Sequence, residues 1–218
     1  MNRSRFIAAG AAGVTIASAV APSIAAAATP AALVPGALHF DRAGFEAVLA
    51  RPFRHRQVFA TTKLDDAVVL HYMENSLKAY AEGFGEGPGT LHVAAVMYGT
   101  SLAIAMNDQM WKTYGVGAVL DEMSTNLKAD GALAKETANP FASRVTALMT
   151  GGASFFVCNN ALNGLAGGLA TKLKRDHAAV HDELVANMLP GVIVVPAGVA
   201  ALNACQEAQF TLVQASIG

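Results

Sequence analysis

The chain has 218 residues, 53% of them hydrophobic, with 15 basic and 16 acidic side chains and a formal net charge of −1. That length suits one globular domain, and the near-neutral balance supplies neither a basic patch for nucleic acid nor a polybasic run for anionic lipid. Removing the first 28 residues takes away Arg3 and Arg5 and no acids, which moves the charge from −1 to −3 and further from a nucleic-acid footprint.

Residues 1–28 have the organisation of an export signal. Arg3 and Arg5 precede an apolar run from Phe6 to Ala21, Pro22 breaks it, and small residues fill Ala25 to Ala28 where cleavage is expected. Arg3-Ser4-Arg5-Phe6 resembles a twin-arginine signal with its arginines separated, which leaves the route open. Gly10 and Gly13 interrupt the short run and argue against a lasting anchor. The mature protein is therefore expected to be periplasmic or otherwise exported, with no stable membrane span after processing. Residues 29–40 read as a tether and residues 41–218 as a single α/β domain.

Within that domain, strands and helices alternate. Asp41 caps a short helix through Ala50, and Gln57 to Thr61 is strand-like. Asp65 and Asp66 open a helix with Val69, Met73, Leu77 and Tyr80 on one face, stopped by Gly83 and Gly85. Leu91 to Met97 reads as a buried strand, followed by Tyr98-Gly99-Thr100 and an apolar helix to Met106. Gly115 to Ala138 is expected to be a polar connection. Asn139-Pro140 starts the next helix, a cap followed by proline in the first turn. Ala153 to Val157 is a short buried strand, and a long helical region then runs to Leu189. Gly191 to Val195, Gly198 to Gln206 and Phe210 to Val213 complete the pattern as strand, helix and strand.

Apolar strands separated by helices imply a three-layer α/β/α sandwich with about five mostly parallel strands. Ligands of such sheets meet the carboxyl ends of the strands. Those ends are Thr61-Thr62, Tyr98-Gly99-Thr100, Cys158-Asn159-Asn160 and Pro196-Ala197-Gly198. No G-x-G-x-x-G and no P-loop occurs, so a nucleotide site has no support and no cofactor is implied.

Cys158 is the candidate catalytic residue. It stands where an apolar run ends and a helix carrying Leu162, Leu165, Ala166 and Leu169 begins, with Asn159 and Asn160 able to cap that helix. Free amides and the positive end of the helix dipole there favour thiolate over thiol. The competing reading is a small buried hydrophobe, since no histidine or acid adjoins Cys158 to act as its base. Cys205 lies seven residues beyond Gly198 in a helical pattern, roughly 10 Å below the rim. A disulfide needs α-carbons within about 7 Å, so two free thiols are expected, with Cys205 buried and inert.

His177 and His181 stand four apart on a helix, a spacing able to grip one metal, yet no third ligand is evident and both fall within an apolar arc. Packed histidines are the favoured reading, and His55, His71 and His92 are each read as structural. Asp108, Trp111 and Tyr114 either wall a pocket or pack a helix.

The segment Phe155-Phe156-Val157-Cys158-Asn159-Asn160-Ala161-Leu162 resembles the active-cysteine segment of the DsrE/DsrF-like sulfur-relay family. The tail from Leu189 through Val199, followed by Gln206, is similar to that family's closing strand, loop and helix. The likeness extends over about residues 50 to 215 and is nearest an exported branch of the family. It implies a homo-oligomer in which Cys158 accepts sulfur as a persulfide. It further implies a sulfur-donor or acceptor protein, or a small sulfur compound, as partner. Tyr98, Gly99, Thr100, Asn159, Asn160, Pro196 and Gly198 would then line the binding rim. Two other readings stand beside it: a non-catalytic small-molecule or subunit-binding module at the same rim, and a metal-binding protein built on His177 and His181.

Overall fold

A computed structural model describes residues 40–64, 67–123 and 133–215, with side chains 121–123 excepted. The export signal and all of the tether except Phe40 lie outside the described residues, as do Asp65 and Asp66. Five strands form one all-parallel sheet: β1 (His55–Thr61), β2 (Leu91–Met97), β3 (Ser154–Cys158), β4 (Ile193–Val195) and β5 (Thr211–Gln214), in the order β4-β3-β2-β1-β5. Every residue of β2 and β3 is buried, which is why both read as largely apolar runs, interrupted only by His92 and Ser154, rather than alternating ones.

The period of two divides the sheet's side chains between two cores. Phe59, Val93, Ala95, Met97, Phe155 and Val157 face one layer. That layer comprises α2 (Val68–Lys78), α3 (Asp108–Tyr114), α4 (Val116–Met123), α5 (Ala142–Thr150), α6 (Asn159–Leu173) and α7 (His177–Ala186). Val58, Ala60, Ala94, Val96, Phe156 and Val195 face the other, made by α1 (Arg42–Leu49) and α8 (Gly198–Glu207). The architecture is a three-layer α/β/α sandwich. Because parallel strands need crossovers, α8 carries the chain from the β4 edge across the second face to β5 beside β1. Among the described residues, no helix is long and apolar enough to cross a membrane.

Asp41 caps α1 by accepting from the Gly44 N–H at 2.8 Å. Three expectations need correction. The connection from Gly115 to Ala138 contains α4, whose Val116 and Leu120 are buried, and a 3₁₀ turn at Leu133–Lys135. A helix so short offers too few apolar repeats to stand out from its polar surroundings. The long helical region to Leu189 is two helices, divided where Lys174 takes a left-handed φ of 53°. Asn139 does not cap α5 directly. Its side chain accepts from the Phe141 N–H at 2.8 Å and donates to the carbonyls of Ile104 and Met106, so the helix begins only at Ala142.

Candidate functional site

Cys158 ends β3 and is at once the N-cap of α6, with φ −72° and ψ 116°. No side chain caps that helix, contrary to the role expected of Asn159 and Asn160. The first-turn N–H groups that an N-cap side chain normally serves are bonded by no side chain, the Cys158 sulfur included. The thiol is 6% exposed.

Strand register gathers the rim around it. Met97 pairs with Val157 and Val195 with Cys158, so the ends of β2 and β4 flank the cysteine. Gly198 opens α8 against this point. A Cβ there would lie 3.0 Å from Tyr98 Cδ1, 3.3 Å from Cys158 Cβ and 3.3 Å from Val96 Cγ1. Only glycine lets α8 approach so closely without displacing its neighbours. Tyr98, Cys158 and Gly198 therefore meet, and Pro196 is half-buried two residues before that contact.

The other rim residues turn elsewhere. Gly99 has φ +66°, and a Cβ on it would stand 2.4 Å from the Thr62 carbonyl oxygen. Thr100 Oγ1 accepts from the Leu64 N–H at 3.1 Å, and Ser101 Oγ donates to Thr61 O at 2.8 Å and Tyr98 O at 2.9 Å. Gly99 and Thr100 thus lock the ends of β1 and β2 together rather than facing the sulfur. Asn160 is exposed at the first turn of α6. Asn159 points inward, where its Oδ1 lies 2.8 Å from His181 Nε2 on α7.

That bond decides the role of the histidine pair. His181 is fully buried on Asn159, while His177 Nε2 donates to the Asn163 carbonyl at 3.1 Å. Each ring nitrogen Nε2 is committed to a separate residue of α6. Among the described residues no group of three His, Cys, Asp or Glu side chains is placed to hold a metal ion. Trp111 and Tyr114 are packing residues rather than a pocket wall. The Trp111 indole donates to Ala103 O at 3.0 Å, and the Tyr114 hydroxyl donates to Glu183 at 2.7 Å while accepting from Arg175 at 2.8 Å. Asp108 accepts from the Asn139 N–H at 3.0 Å.

Both thiols are free. Cys205 is wholly buried in α8, and burial pushes its thiol up to about 12. At the opposite end of the sheet sits a polar group that periodicity left unmarked. His92 on β2 places Nε2 3.0 Å from Ser154 Oγ on β3, and burial, then the nearby Arg51 and Arg56, lower its pKa to about 4. The signal in the sequence was faint: a histidine and a serine inside two otherwise apolar strands.

No protein-family model matches the chain, and no curated protein sequence matches it. A solved structure of a protein of unknown function from Methanobacterium thermoautotrophicum is similar at 16% identity and a TM-score of 0.42, covering 73% of this chain and 98% of that one.

Proposed function

We propose that the protein is an exported, DsrE-like thiol-based sulfur carrier with Cys158 as the acceptor. The observation that carries this reading is the position of Cys158 as the uncapped N-cap of a fifteen-residue helix at the carboxyl edge of a parallel sheet. Ligands of a parallel sheet meet the carboxyl ends of its strands, which is where a sulfur-accepting cysteine would encounter its donor. In the step itself the Cys158 thiolate attacks a terminal sulfur of an inorganic polysulfide. A new S–S bond forms on the protein, one S–S bond of the donor breaks, and the shortened polysulfide dianion leaves with the electron pair. The thiol proton goes to solvent beforehand. Tyr98 and Gly198 close in on the Cys158 side chain, and a slim donor suits so narrow a rim.

Mass spectrometry of the purified protein after exposure to polysulfide tests the reading. One added sulfur atom is expected on wild type and on Cys205→Ser, and none on Cys158→Ser. Protein that gains no sulfur, or gains it on Cys205, would refute the carrier. A second reading, a non-catalytic binding module at the same rim, draws on the 6% exposure of Cys158 and predicts an unmodified thiol under these conditions. Export is part of the proposal: the mature N-terminus should begin near Ala28 or Thr29, and full-length protein recovered from the cytoplasm would refute it.

A further inference from the structure

A cleft of about 720 Å³ opens at the amino edge of the sheet, between α1 and the segments that lead into β3 and β4. It lies roughly 13 Å down β3 from Cys158, by the rise of a strand, and belongs to no part of the rim. Its volume falls in the range of small-molecule sites. The wall is mostly apolar, with Val48, Met149, Phe155, Val185 and Val192 among its residues, and three polar side chains interrupt it: Asp41, Arg51 and Ser154.

Arg51 is exposed and reaches only neutral acceptors, through Nη1 to Gly152 O at 3.3 Å and Ser154 Oγ at 3.5 Å. Both bonds are long, and no carboxylate pairs with Arg51 in the described residues. Its neighbour Arg56 likewise serves carbonyls alone, Ala208 O at 2.7 Å and Arg51 O at 3.0 Å. Among the described residues, then, neither guanidinium has a carboxylate partner at this edge.

Ser154 supplies the second, independent observation. It is 6% exposed, lines the cleft, and has His92 Nε2 at 3.0 Å. The other ring nitrogen of His92, Nδ1, is buried without a hydrogen-bond partner. A bare buried lone pair costs less than an orphaned N–H, so the proton of the neutral ring belongs on Nε2, which donates to Ser154. With His92 Nε2 donating at 3.0 Å and Arg51 Nη1 approaching at 3.5 Å, the Ser154 O–H can turn to an acceptor in the cleft. A buried hydroxyl beside a guanidinium with no carboxylate partner among the described residues, in a cleft that apolar side chains also line, is a receptor for one anionic head on an apolar body.

We propose that this cleft binds an amphipathic monoanion, an aliphatic carboxylate whose head takes Arg51 and Ser154 and whose chain lies along Val48, Met149, Val185 and Val192. Asp41, the N-cap at the far end of α1, lines the same cleft and repels a second anionic group. That selects a monocarboxylate over a dicarboxylate.

Calorimetric titration of the purified protein with hexanoate, acetate and hexanol tests this, alongside Arg51→Gln and Ser154→Ala. Hexanoate should bind at one site, more weakly as salt is added, and Arg51→Gln should lower its affinity about tenfold. Arg51 is exposed and its two bonds are long, so this variant should fold; its unfolding midpoint serves as the control. Amide shifts on hexanoate binding should fall at Gly152, Ser154 and Val192, and Cys158→Ser should leave the affinity unchanged. Acetate or hexanol binding as tightly as hexanoate would overturn the proposal. So would no binding of hexanoate, an affinity indifferent to Arg51→Gln, or shifts centred on Tyr98 and Cys158.

Discussion

His181 Nε2 stands 2.8 Å from Asn159 Oδ1, with both side chains buried, so α7 holds the first residue of α6 in place directly after Cys158. A histidine whose spacing suggested a metal ligand instead fixes where the helix behind the cysteine begins. A buried pair of this kind is specific because neither partner can be lost alone without stranding the other.

Asn159→Ala should therefore leave the buried Nε2 of His181 without its partner and destabilise the protein by about 1–3 kcal/mol. The double variant Asn159→Leu/His181→Leu should recover part of that loss, since it removes both polar groups together. Urea unfolding measures both. A midpoint unmoved by Asn159→Ala would show that the bond contributes nothing.

Stability should depend on pH through His92. Its folded pKa is lowered to about 4 from an ordinary 6.5, first by burial and then by Arg51 and Arg56. Between those values the unfolded chain binds a proton that the folded chain does not, so stability rises with pH across this window and is lost as pH falls through it. The full effect is of order a few kcal/mol at most. His92→Gln should flatten the slope between pH 4 and 6.5, and an unchanged slope would assign it to other groups.

Gly99 cannot accept a side chain. Its φ of +66° and a Cβ position 2.4 Å from the Thr62 carbonyl oxygen combine backbone strain with a backbone clash. Gly99→Ala should cost at least about 2 kcal/mol, because neither Thr62 nor the β1 end can move without breaking the Tyr98 N–H bond to Thr61 O at 3.1 Å. Thermal unfolding of the variant checks this, and a near-native midpoint would contradict the geometry.

Tyr114 ties α3 to α7 through Glu183 and Arg175. Burial, and then the Glu183 carboxylate, raise its phenol to about 12 against the opposing pull of Arg175. Tyr114→Phe should cost about 1–2 kcal/mol by unfolding, and should remove the latest-titrating phenol from an ultraviolet titration of the folded protein. A titration curve unchanged at its alkaline end would place that phenol elsewhere.

The alternation of apolar runs with helical spacing was enough to give the α/β/α class, because buried parallel strands must be apolar on both faces and must be joined by crossovers. Leu91–Met97 was legible to the residue for that reason. So was the place of Cys158, since a strand end and a helix start meet at one residue. The sequence could also separate the two cysteines, because helical rise alone keeps Cys205 far from the rim. What it could not decide were contacts between residues far apart in the chain. His181 and Asn159 are 22 positions apart, and His92 and Ser154 are 62 apart; only the packing of α7 on α6 and of β2 beside β3 brings each pair within a hydrogen bond. Periodicity reports which face a side chain takes, and says nothing of the polar atom it will meet there. Tertiary structure alone also opened the cleft at Arg51 and Ser154, where α1 and the approaches to β3 and β4 meet.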